Sequence, residues 1–283
     1  MRTDSIVGTV KAGAPSVGVA PDDDRIWYYN GSPGACVLVA LDYVLPRANF
    51  PTPDLVLSGP NNGNNLGPFL YTLSGTLGAA YIAVGRDIPS IAISAGHDYA
   101  LGYQTVRENT RAMLPDPATV TGDLVADLVD QLVQNANGSR LLPLGYGLNV
   151  NLPYITSFYD NGCISPPFIQ TRMTGHAIAD HAAYNETTGL FTWEEFVSAG
   201  QNTCINGDCD LADETTVLAA AHCKSSVSIF TVDYDAPSTC HSVPDVRKLL
   251  EPLVQYFESS VKLKARWDQR EQSDHDFKQA VSG

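Results

Sequence analysis

The sequence predicts an α/β fold: a three-layer, Rossmann-like domain whose sheet is largely parallel and covered by helices on both faces. Three observations carry that expectation. Short apolar runs at Asp54–Leu57 and Ser90–Ser94 are bounded by Gly, Pro and Asn, as buried strands are. Helical periodicity stands between and beyond them, most clearly over residues 119–135. Strand-like and helix-like segments alternate through the first half of the chain, the order of βαβ units.

Taken in order, residues 1–25 are rich in Gly, Ala, Pro and Asp and carry no convincing element. Ile26–Tyr29 reads as a short strand. Ser32-Pro33 then supplies an N-cap and a first-turn proline. The helix that follows is expected to bury Val37, Leu38, Leu41, Val44 and Leu45 until Pro46 stops it. Asp54–Leu57 is a strand, a Gly/Asn-rich loop follows, Leu73–Val84 is a small-residue helix, and Ser90–Ser94 is a second strand. Over 119–135, Leu124, Val125, Leu128, Val129, Leu132 and Val133 share one face, with Asp123, Asp127 and Asp130 outside it. Gly147–Leu152 alternates and ends at Pro153, as a strand would.

From residue 154 to 209, Thr, Asn, Gly, Cys and aromatic residues dominate and predict an irregular β-rich insertion of hairpins. A helix over 212–222 and a strand over 226–233 return to α/β grammar, and a last helix begins near Asp245. Residues 1–260 are taken as one domain. The polar residues 261–283 are taken as a C-terminal extension, solvated or contacting a second copy in a homodimer.

The net charge of −14, from 31 acidic and 17 basic residues, argues against a nucleic-acid polymer or an anionic membrane surface as partner. A small phosphorylated substrate remains compatible, because local N–H groups outweigh a global field at short range. No apolar run approaches the ~18 residues of a membrane span, and Met1-Arg2-Thr3-Asp4 does not open a signal peptide. Yet Asn30, Asn137 and Asn185 begin glycosylation sequons, and five of the six cysteines follow residue 160. Cys204 and Cys209 flank a four-residue turn suited to a disulfide, which is favoured over free thiols or a zinc site. The expectation is a secreted, disulfide-bonded protein whose signal is not in this sequence.

The loop after Asp54–Leu57 carries the chemistry. Asn61, Asn64 and Asn65 offer neutral carbonyl oxygens suited to a hard cation. Gly59, Gly63 and Gly67 let backbone approach a ligand closely. Ser74, Gly75 and Thr76 open the next helix, where N–H groups without intrahelical partners attract an anion. The place, beyond the carboxyl end of a parallel strand, is where open α/β sheets bind ligands. A plain surface turn is the simpler alternative for any Gly/Asn loop. His176, Asp180 and His181 match no zinc-helix spacing and read as surface groups. Cys36 reads as a buried thiol, and neither Ser58 nor Ser74 lies in a serine-hydrolase elbow.

Three blocks, Ser58–Gly67, Ser74–Ala80 and Ile88–Ser94, together resemble the SurE survival-protein family. Asn30–Cys36, Leu148–Pro153 and Asp213–Ser228 extend the likeness over about residues 26–235, and the stretch from Trp27 to Pro46 is most similar to fungal secreted members. The resemblance implies a metal-dependent phosphomonoester hydrolase, a nucleotidase or acid phosphatase, using Mg²⁺ or Mn²⁺, or Ca²⁺. It assigns Asn61 to the metal, and Asn65, Ser74, Gly75 and Thr76 to the phosphate of a small substrate such as a nucleoside monophosphate.

One departure matters. The family opens with a strand followed by Asn-Asp-Asp-Gly, whose aspartates hold the metal, and nothing of that kind precedes Ile26. Asp22-Asp23-Asp24 follows no apolar strand and reads as a solvated turn. The first strand and its helix are therefore expected to be missing, and no catalytic residue is assigned. The alternative to an active enzyme is an inactive truncated member, or an incomplete gene model, that at most binds anions.

Overall fold

The computed structural model describes residues 10–21, 23–96, 105–108, 113–156, 162–175, 178–197, 203–220 and 223–233. The chain divides into two compact units, Met1–Tyr234 and Asp235–Gly283. The second lies outside the described residues, and with it the helix expected from Asp245 and the extension over 261–283.

Two strands precede the first helix where one was expected. β1 (Val17–Ala20) pairs antiparallel with β2 (Asp23–Tyr29), Val17 facing Tyr29. Four residues, one of them glycine, are too few for a period to register in the sequence, but they satisfy the edge of the aromatic strand. Asp23 and Asp24 accordingly open a strand and follow another, rather than forming an isolated acidic turn. The Asp23 carboxylate accepts from the Arg25 guanidinium at 2.8 and 3.0 Å.

Ser32 caps α1 (Pro33–Val39), its Oγ accepting from the Ala35 N–H at 3.3 Å. Pro46 does not stop this helix. The chain widens into a π-helical turn over Ala40–Val44 and continues as α2 (Leu45–Arg47), with Pro46 inside it. There the Leu45 N–H reaches back to the Ala40 carbonyl, and the looser turn accommodates the proline ring ahead. Val37 and Val44 are buried, whereas Leu38 is exposed.

The remaining elements are β3 (Val56–Asn62), α3 (Gly67–Leu73), α4 (Gly75–Gly85), β4 (Ser90–Ala95), α5 (Pro117–Ala136), β5 (Tyr146–Leu152), β6 (Phe168–Thr171), β7 (Ile178–Asn185), β8 (Leu190–Val197), α6 (Glu214–Ala220) and β9 (Ser225–Thr231). The central sheet has the order β3-β4-β5-β9-β6. β3–β4, β4–β5 and β6–β9 pair parallel, and only β5–β9 is antiparallel. β7 and β8 form the separate hairpin expected within the insertion.

Alternation along the strands sorts the two faces. Ile91, Ile93 and Ala95 of β4 and Leu148, Val150 and Leu152 of β5 join Val125, with Leu124, Leu128 and Leu132 of α5 packed against them. On the opposite face Ala92 and Phe230 meet Leu77, Ala80 and Val84 of α4. Ala79 and Ala83 turn the other way and receive Val37 of α1. A helix buried on two sides needs small residues and no polar stripe, which is the composition of α4. The three-layer α/β arrangement is as expected.

β3 departs from its expected bounds. It starts later, at Val56, and continues through Ser58–Asn62, residues expected as loop. Its register slips between Ser58 and Asn61, where the Gly59–Pro60 peptide is cis. At Gly59, with φ +119°, a Cβ would stand 2.1 Å from the Ile93 carbonyl oxygen, so only glycine lets the strand lie this close. β3 has β4 as its one strand partner among the described residues and forms an edge of the sheet.

Candidate functional site

β3, β4 and β5 run parallel, so their carboxyl ends share one edge. The exits are tied together: the Gly63 N–H donates to the Ala95 carbonyl at 2.8 Å and the Gly96 N–H to that of Leu152 at 3.1 Å. The segment from Gly63 to Thr76 rises from this edge and carries most of the residues singled out in the sequence.

Ser74 caps α4, its Oγ accepting from the Leu77 N–H at 3.3 Å. The N–H groups of Gly75 and Thr76 lie in the first turn, where a helix has no internal acceptors for them. Gly75 is exposed, while the Thr76 side chain is buried, so Thr76 contributes through its backbone. A Cβ on Gly75 would fall 2.7 Å from the Pro33 ring, which brings the starts of α1 and α4 side by side. Asn61 lies opposite Ser94 across the β3–β4 ladder, half-buried. Its amide nitrogen donates to the Gly63 carbonyl at 2.9 Å and to that of Asn62 at 3.2 Å, leaving the carboxamide oxygen to offer a cation. Asn61 thus lies near the carboxyl end of β3, and Ser74, Gly75 and Thr76 at the start of α4.

Asn65 is 7% exposed. Its N–H donates to Asn151 Oδ1 at 2.7 Å and its side-chain amide to Ser94 Oγ at 2.6 Å. Its carbonyl accepts from Asn149 and Asn151 at 3.1 and 3.2 Å. The register explains why these groups meet. Ser94, Asn151 and Ser226 form one row across the sheet, and Ala92, Asn149, Ser228 and Thr171 the next, all on the α4 side. Ile91, Ile93 and Ala95 of β4 and Leu148, Val150 and Leu152 of β5 occupy the other face.

Glu214, the first residue of α6, closes this layer and was not apparent as a site residue in the sequence. Its carboxylate accepts from the Gly67 N–H at 3.0 Å and from the Asn149 amide at 2.8 Å, with the Ser228 hydroxyl also in reach. Burial pushes this carboxyl up to about 7, while those three donors pull the other way. Asp213, beside it, accepts from the Thr216 N–H and hydroxyl at 2.8 and 2.7 Å and so caps α6, with Arg172 at 4.0 Å. Only an acidic residue just inside a helix start hinted at Glu214, and that pattern is common on surfaces.

A divalent cation bound by protein oxygens needs about six of them. Asn61 supplies one. Among the described residues no group of three or more His, Cys, Asp or Glu comes together. Glu214 is committed to N–H donors, and Asp23 to Arg25. The described donor set does not complete a divalent-metal centre. His181 is exposed opposite Glu194 at 3.6 Å, as a surface group, and His176 lies outside the described residues.

The expected Cys204–Cys209 disulfide is present, and a second joins Cys163 to Cys223. Cys36 is half-buried, and desolvation raises its thiol pKa. No described helix is long and apolar enough to cross a membrane.

The family model for survival protein SurE matches residues 3–178, well over half of the chain. The chain belongs to the SurE family. The match begins ahead of Ile26, where the likeness was expected to start, and contains Asn61, Asn65 and Ser74–Thr76. An acid phosphatase of Yarrowia lipolytica, a fungal relative, is 44% identical over 234 residues, which span 81% of this chain and 64% of the relative. A 5'-nucleotidase SurE of Desulforamulus reducens is 34% identical over 128 residues, 45% of this chain and 40% of that one. The chain thus spans less than two thirds of the length of these curated relatives. The crystal structure of SurE from Aquifex aeolicus superposes with a TM-score of 0.51 at 21% identity, covering 84% of this chain and 81% of that one, a likeness of fold.

Proposed function

We propose that this SurE chain is a phosphomonoester hydrolase, of acid phosphatase or nucleotidase type, that takes the terminal phosphate of a small substrate at the carboxyl edge of β3–β5. The observation that carries the reading is the capped start of α4, opening at that edge within the segment matched to the family. The Gly75 and Thr76 N–H groups and the Ser74 hydroxyl hold phosphate oxygens, and the partial positive charge of the helix start favours the dianion. Asn61 presents its carboxamide oxygen beside the phosphate. The buried amides beneath keep water out of the sheet and fix the loop. In this family activity implies a divalent cation, Mg²⁺ or Mn²⁺, or Ca²⁺, for which Asn61 is one ligand. The substrate is a nucleoside monophosphate or similar ester, not a nucleic-acid polymer or a membrane. Disulfides and the exposed sequon asparagines Asn30, Asn137 and Asn185 support secretion as a glycoprotein.

The test is turnover of p-nitrophenyl phosphate and of AMP by the full chain, with and without Mg²⁺ or Mn²⁺. Cation-dependent turnover is expected, with Ser74→Ala raising KM by about tenfold, the order of one lost hydrogen bond to a charged group. Inorganic phosphate bound without turnover in any metal would favour the second reading, an anion-binding member without hydrolysis. That no group of three or more His, Cys, Asp or Glu comes together among the described residues supports that second reading.

A further inference from the structure

We propose that Glu214 is the positioning residue of the substrate loop: its buried carboxylate fixes the Asn65–Gly67 turn, and thereby the path of the chain into the start of α4. The inference rests on the phosphate site proposed above. The loop's only acidic anchor among the described residues arrives from 147 positions away, as the Gly67 N–H donates to Glu214 Oε2 at 3.0 Å. Glu214 Oε1 accepts from Asn149, whose same amide nitrogen also donates to the Asn65 carbonyl. One carboxylate therefore holds the loop twice, directly at Gly67 and through Asn149 at Asn65. From Gly67, α3 leads straight to Ser74.

A carboxylate is suited to this place and an amide is not. Every group aimed at Glu214 is a donor: the Gly67 N–H, the Asn149 amide and the Ser228 hydroxyl. An acceptor-only group satisfies all three, and ionised acceptors bind roughly twice as strongly as neutral ones. Glutamine would turn an NH₂ toward one of those donors. Asn149 Oδ1 is buried without a partner and could accept from that NH₂ only if the Asn149 amide flipped, which would break its bond to Asn65. The charged groups around Glu214 are few. Asp213 on α6 is a like charge, and Arg172, after β6, is turned to Asp213. β5, β9 and the loop present only amides, hydroxyls and N–H groups to it. Burial raises the Glu214 carboxyl, so the closed loop favours its protonated form, which keeps acceptor oxygens for Gly67 and Asn149 and has one proton to turn toward the Ser228 hydroxyl, where glutamine would bring an NH₂.

The test is amide hydrogen exchange of the 62–73 segment in the full chain, with each rate divided by its intrinsic rate, from about pH 5 to about pH 9. In the native chain, protection of this segment is expected to fall about tenfold as pH rises through about 7, because opening the loop lets the buried carboxyl ionise in water. In Glu214→Gln it should be low at every pH, a loss matching one charge-assisted hydrogen bond. In parallel, the variant's KM for p-nitrophenyl phosphate should exceed the native value about tenfold at acid pH and approach it at alkaline pH, with kcat within about twofold. Substrate ionisation cancels in that ratio. A native protection that ignores pH overturns the proposal, and needs no folded variant. A variant with a lower melting temperature but a KM ratio constant with pH overturns it too, showing structural support alone. If the native chain neither hydrolyses esters nor binds inorganic phosphate, the phosphatase reading fails, and the exchange profile still decides whether Glu214 fixes the loop.

Discussion

Removing the Cys163–Cys223 disulfide tests how much of the fold's stability comes from restricting the unfolded chain. The bridge joins residues 60 positions apart, and Cys163 is 7% exposed. It ties the segment after β5 to the residue leading into β9, while Thr156 and Cys163 exchange two further hydrogen bonds. In the chain-entropy treatment a closed loop of that length removes about 4 kcal/mol of freedom from the unfolded state. The Cys204–Cys209 bridge closes five positions, and the same treatment assigns it about 2 kcal/mol. The paired variants Cys163→Ala/Cys223→Ala and Cys204→Ala/Cys209→Ala should therefore differ by about 2 kcal/mol in urea unfolding, the long bridge costing more. Adding reductant to the native chain should reproduce the sum. Equal losses from the two double variants, or no response to reductant, would refute the reasoning.

Other outcomes follow from the same structure. Burial pushes the Glu214 carboxyl from an ordinary 4.5 up to about 7, so its contribution to stability is fully present below 4.5 and is lost as pH rises through about 7. The native chain should lose about 3 kcal/mol over that window relative to Glu214→Gln, read as the difference between their pH–stability curves. Gly59→Ala should cost about 2 kcal/mol or more in thermal unfolding, because the added methyl meets the Ile93 carbonyl and the backbone is left-handed there. Expressed through a eukaryotic secretory pathway, the chain should carry N-glycans, seen as a mass drop on glycosidase treatment that vanishes when Asn30, Asn137 and Asn185 are all replaced by Gln.

Much of the fold was legible because its signals are local. The Ser32-Pro33 start, the buried run of β4 and the apolar stripe of α5 each declare themselves within a few residues, and the structure places all three. The misses have physical causes. β1 is too short for alternation to show, and it forms because β2 needs a partner. Ser58–Asn62 has the composition of a loop, yet it continues as strand because Gly59 can lie against Ile93. Pro46 stops an α-helix but not one that has already widened. Among site residues, the start of α4 was legible from Ser74-Gly75-Thr76. Glu214 was not, because its burial is made by Gly67 and Asn149, which are far away in sequence. Cys163 and Cys223 were not paired for the same reason.

The rows of Asn and Ser across the carboxyl edge have a consequence for how this region tolerates change. Asn65, Asn149, Asn151, Ser94 and Glu214 are each donor or acceptor to another member, so replacing one leaves its neighbour's polar atom stranded. Their substitutions should be strongly non-additive: the second loss in a pair costs little once the first has been suffered. Residues from four separate segments thus behave as a single locus, open to variation only when several members change together.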